Sequence, residues 1–167
     1  MTARPEIQSV GIVLLGDFNP KIFQPAWFAA QGLIGTLESE EAEANVEIIH
    51  PDVTIFRLDW LTLQVTRERF LASTAQEAYF EVLRDLVFGT FTLLRHTPAR
   101  VMGINLNMHF RMRSEEEWHA FGDRLAPKQP WKGVLEQPGM RRLDMEGVRP
   151  DGLRGYIRVR VEHSPRI

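Results

Sequence analysis

Apolar positions along the chain change period several times, and each change marks an element. Val10-Gly11-Ile12-Val13-Leu14-Leu15 is apolar without alternation, which predicts a strand over residues 7–15 with both faces covered. Asn19-Pro20 is a helical-turn start, Pro25 restarts it, and Gly32 or Gly35 ends the helix begun at Ala26. From Val46 to Ser73 the period falls to two: Phe56, Leu58 and Trp60, then Leu61, Leu63 and Val65, alternate with polar residues. Two or three antiparallel strands with one wet face fit that stretch.

Thr74 and Glu77 have capping-box spacing, and Tyr79, Val82, Leu83, Leu86, Val87, Thr90, Phe91 and Leu94 follow at helical spacing. That pattern predicts a long helix to about His96, stopped before Pro98. Met102, Ile104, Leu106, Met108, Phe110 and Met112 then line one face of a strand, with Asn105, Asn107, His109, Arg111 and Arg113 on the other. A second capping box, Ser114 to Glu117, opens a short helix ended by Pro127.

A hairpin closes the chain, turning at Arg149-Pro150-Asp151-Gly152. Read as a three-residue loop, that turn sets Asp144 opposite Arg158, Glu146 opposite Tyr156, Leu143 opposite Val159 and Arg142 opposite Arg160. The order of elements predicts one α+β domain over residues 1–167. Its sheet is largely antiparallel but mixed, with one long and two shorter helices packed on one side.

Composition narrows the chemistry. The 167 residues include no cysteine, which excludes disulfides, thiolate metal sites and cysteine nucleophiles within the chain. The net charge of −2 hides segregation. Residues 37–47 carry five Glu and no basic residue, whereas Arg141 to Ile167 carries 7 Arg against 4 acids. Basic residues are 17 Arg and only 3 Lys, a bias that codon usage in a GC-rich bacterial-type genome explains as readily as function. Neither a membrane-length apolar run nor a leader pattern is visible, so a cytoplasmic protein without membrane contact is expected.

Gly16-Asp17-Phe18-Asn19 after an apolar strand resembles the Gly-Asp-Phe-Asn element of the endonuclease/exonuclease/phosphatase superfamily. Glu162-His163-Ser164-Pro165 faintly resembles that superfamily's terminal Ser-Asp-His-x-Pro element. The resemblance implies a metal-dependent phosphodiesterase or nuclease using Asp17, Asn19 and His163. In that superfamily the first element lies past the middle of a longer domain, whereas only 15 residues precede it here. Local physics offers another account, in which Asp17 and Asn19 cap the following turn and Phe18 packs.

The histidines show no metal-ligand spacing, the serines no nucleophile-elbow context, and no phosphate-binding glycine loop exists. No metal or cofactor is therefore implied. The remaining clue is Arg on strand faces: Arg111 and Arg113 on one strand, and Arg142, Arg154, Tyr156, Arg158 and Arg160 on the hairpin. Arg with aromatics marks protein interfaces, and the apolar surface of Phe23 and Trp27 near the first helix adds a second candidate patch. The expected function is a non-enzymatic interaction or assembly module binding a protein partner or itself, in which the acidic segment could meet the Arg-rich hairpin reciprocally. RNA or single-stranded DNA across the Arg/Tyr face is the alternative binding mode.

Overall fold

A computed structural model describes residues 4–166. The protein is α+β. Glu6–Met108 forms one compact unit, and the described residues from His109 onward, with Arg4 and Pro5, form another.

The first unit is built on a six-stranded antiparallel sheet in the order β2-β3-β4-β5-β1-β6. Its strands are β1 (Ile7–Gly16), β2 (Val46–His50), β3 (Val53–Arg57), β4 (Thr62–Thr66), β5 (Arg69–Thr74) and β6 (Ala99–His109). Register lines the inward residues into rows that cross four strands. Phe56, Leu63, Ala72 and Ile12 are successive partners, as are Thr54, Val65, Phe70 and Leu14. Those rows pack with helices α1 (Pro25–Ala30), α2 (Thr36–Ala44) and α3 (Phe80–Leu93) in a single core cluster.

Four strands occupy residues 46–74 where two or three were expected. The additional breaks fall at Leu58–Leu61, closed by a 2.8 Å bond from Leu58 N to Leu61 O, and at Thr66–Arg69. Neither turn contains Gly or Pro; their turn-forming residues are single ones, Asp59 in the first and Thr66 in the second, whose hydroxyl accepts from Arg69 N at 3.2 Å. The expectation that β1 is covered on both faces also fails. Ile12 and Leu14 are buried, but Leu15 is 45% exposed and Val13 only half-buried. β1 is interior by pairing, between β5 and β6, and not by coverage.

At the head of the long helix the cap position is taken by Gln76 and not by Thr74. The buried Thr74 hydroxyl accepts from Gln76 N at 3.1 Å, and a 3-10 turn, Glu77–Tyr79, precedes α3 to give 17 helical residues. The helix ends at Leu93, three residues before the expected His96.

In the second unit, Ser114 does cap α4 (Glu115–Leu125): its hydroxyl accepts from Glu117 N at 3.2 Å. The hairpin is β7 (Arg142–Val148) with β8 (Tyr156–Glu162). Its register corrects the expected one by two residues. Leu143 opposes Val161, Asp144 opposes Arg160, Glu146 opposes Arg158, and Arg142 opposes Glu162. The loop is longer than the assumed turn, spanning residues 149–155, with Gly152 and Gly155 at φ 76° and 139° and Arg149 paired to Asp151. A two-residue shift keeps every side chain on its face, so apolar pattern alone cannot choose between the registers. Charge chooses: the observed ladder sets each Arg against an acid, where the alternative sets Arg142 against Arg160.

Candidate functional site

The Gly16-to-Asn19 loop has a structural task at every position. A Cβ on Gly16 would lie 2.1 Å from Pro98 O and 3.1 Å from Ala99 Cα, so the chain at 98–99 approaches closely only because Gly stands there. Asp17 N donates to Pro98 O at 2.9 Å, while the Asp17 residue is itself exposed. Phe18 is buried in the aromatic cluster of Phe23, Phe70 and Phe91. The Asn19 side chain accepts from Lys21 N at 3.2 Å and caps the 3-10 turn Pro20–Ile22. Among the described residues, no three His, Asp or Glu side chains are grouped so as to hold a metal ion. His163 lies in the other unit, its ring edge-on to Trp118 at 5.6 Å.

Beside His163, a concavity of about 600 Å³ is lined by Arg141, Arg142, Glu162 and His163. It joins cationic groups with a carboxylate and so presents no uniform field to an anion. Ser164 and His109 are hydrogen-bonded at 2.7 Å, and the Ser164 hydroxyl also accepts from Arg166 N at 3.1 Å, which closes a turn.

The Arg-rich hairpin face is largely neutralised from within. Asp144 accepts from Arg142 Nε at 2.7 Å and from Arg160 Nε at 2.8 Å, and Arg158 pairs with Glu146. The hydrogen bond from Arg160 holds the Asp144 carboxyl below its ordinary range, and Asp144 in turn raises Arg160. Arg154 and Tyr156 are exposed at and beside the loop. Arg111 and Arg113 lie just past the end of β6, outside any strand.

The acidic segment is likewise engaged, as three of its five carboxylates have structural partners. Glu38 accepts from Trp60 Nε1 at 2.8 Å and from Gly35 N at 2.7 Å; Glu41 accepts from Asp59 N at 2.9 Å; Glu47 pairs with Arg57 at 2.8 Å. The apolar patch expected around Phe23 and Trp27 is spent inside the molecule. Phe23 is 1% exposed, and Trp27 packs against the same core. These residues therefore serve as core and not as surface.

Exposed apolar surface lies elsewhere: on the hairpin, where Met145, Ile157 and Val159 are exposed, and in a longer unbroken row on β6. Met102, Ile104, Leu106 and Met108 share one face by the two-residue period, and each is between 48% and 65% exposed. Val101 on the opposite face is exposed too, and Asn107 Nδ2 donates to Ser9 Oγ of β1 at 3.3 Å. β6 ends the strand order, so among the described residues its side away from β1 carries no further strand of that sheet. The apolar alternation was visible in the sequence; that the strand would be last in the sheet, with this row uncovered, was not.

Comparison with known protein families, with curated proteins and with solved structures found no match to this chain.

Proposed function

We propose that the chain is a non-enzymatic protein-interaction module whose contact surface is the open edge and apolar row of β6. One observation carries the reading: an 11-residue edge strand with four consecutive same-face apolar residues about half in water. Such an edge is a template for main-chain pairing, with the exposed side chains giving the added strand its specificity. The engaged hairpin cations and the core placement of Phe23 move the contact away from the surfaces the sequence suggested.

A selection of displayed, unbiased peptides against the intact chain tests this. Captured peptides should share an extended, alternating apolar pattern, and their binding should slow amide hydrogen exchange in β6. A selection that yields no binder, or binders that protect only other segments, overturns the reading. Single-stranded RNA serves as a comparison ligand. The self-paired hairpin predicts no binding that falls steeply with salt, the signature of phosphate neutralisation.

A further inference from the structure

The two edges of the sheet are built differently, and the difference identifies an occupant for one of them. β2, at one edge, is 5 residues long, shifts register between Val46 and Ile48, and carries Glu47 ion-paired with Arg57. Shortness, irregularity and charge are the devices that protect an edge from pairing. β6, at the other edge, is 11 residues long and has no charged residue from Val101 to Met108. A charged partner would find nothing there to select it, whereas a neutral apolar strand would meet no repulsion.

We infer that this edge is covered by the β6 strand of a second copy, antiparallel, about a two-fold axis through Asn105. The inference rests on the reading of the chain as an interaction module and names the partner. In that register Met102 opposes Met108, Ile104 opposes Leu106, and Asn105 opposes its own mate. Every apolar residue of the row then meets another, and two carboxamides face each other on the axis. Shifting by one residue sets the apolar row against Asn and Gly. Moving the axis to Ile104 sets Arg100 against Met108, and moving it to Leu106 carries Met102 beyond the strand's end at His109. A two-fold contact between identical edges also closes on itself and does not propagate into a fibre.

The area makes this contact modest. Edge pairing covers the flank of each side chain in the row and encloses the main chain between the strands, but leaves the faces of the sheet in water, so the contact falls in the small, transient class of interfaces, below about 1,200 Å². A dimer dissociating in the micromolar range is the expected consequence.

The 167 residues contain no cysteine, which allows a clean test in the intact chain. Opposed residues in an antiparallel pair have Cα atoms about 4.5–5.5 Å apart, within the span of a disulfide. Asn105→Cys should therefore convert to a covalent dimer under mild oxidation. Val101→Cys on the same strand should not, because its mates would lie about 26 Å apart, eight residue steps at ~3.3 Å each. Sedimentation of the unmodified chain should show monomer giving way to dimer as concentration rises through the micromolar range. A chain that stays monomeric, or two variants that cross-link equally, overturns the pairing. If the monomeric chain still captures extended peptides on β6, the interaction module survives and only self-pairing falls. If it captures none, both fall.

Discussion

Gly16 stands where β1 leaves the sheet, with the backbone of Pro98 and Ala99 packed against it. Backbone cannot swing aside as a side chain can, so Gly16→Ala forces strand and loop apart. The expected loss is about 1–3 kcal/mol, the cost of overpacking, read from urea unfolding. Phe23→Ala removes a core ring that contacts Phe18, Phe28 and Phe70, at an expected cost of about 3–5 kcal/mol. Asp17→Ala should by contrast stay within about 0.5 kcal/mol, because the loop uses its amide and not its carboxylate. A phosphodiesterase would show the reverse ranking in activity, with Asp17 the costly position. The four residues that resembled a catalytic motif were thus legible as a tight loop from their types alone. What could not be read from them is the approach of residues 98–99, which are distant in sequence and give Gly16 its purpose.

At the level of elements, the hairpin shows where reading by pattern stops. Alternation found both strands and parity preserved the faces of Tyr156 to Glu162, but Arg154 falls in the loop and not on a strand face, and the loop length, and with it the ladder of charges, was open by two residues. Once that register is known, acid behaviour follows. The Asp144 carboxyl titrates lower in the fold than in the unfolded chain because Arg160 bonds to it. Its contribution is therefore fully present above the unfolded value near 4 and is lost as pH falls through the lower, folded one. A carbon-detected NMR titration should place the Asp144 midpoint below that of an unpaired aspartate, and Arg160→Gln should raise it. Between pH 5 and 8 this carboxylate stays charged and adds no pH dependence of its own. The hairpin's ion pairs are solvent-exposed and contribute little stability. Met145, Ile157 and Val159 are exposed as well, so amides of β8 should exchange faster than those of β4, whose Leu63 and Val65 are fully buried.

The whole molecule poses the question of why so much apolar surface remains outside a core that is otherwise well filled. Phe28, Phe56, Leu63, Val65, Phe70 and Leu83 are each 0% exposed, so the sheet is not short of helices to bury it. Part of that surface is the hairpin's Met145, Ile157 and Val159; the β6 row lies on the last strand of the order, whose main-chain edge is left free by topology, not composition. Strand order depends on contacts between distant segments, which explains why β6 read simply as a half-buried strand in the sequence. If edge pairing is what β6 serves, a lysine in its row should act where a lysine on the opposite edge does not. Ile104→Lys sets a cation against Leu106 of the second copy and diagonally across from its own mate, about 7–8 Å away, opposes the pairing by desolvation and by like charge, and should leave a monomer at every concentration. Ile49→Lys puts the same change at a half-exposed position of β2, the edge already broken by a register shift and Glu47, and should leave sedimentation unaltered. Both substitutions fall on exposed residues, so thermal midpoints should stay close to that of the parent chain. A parallel loss of association in the two variants would place the contact outside β6 and count against the edge as the binding surface.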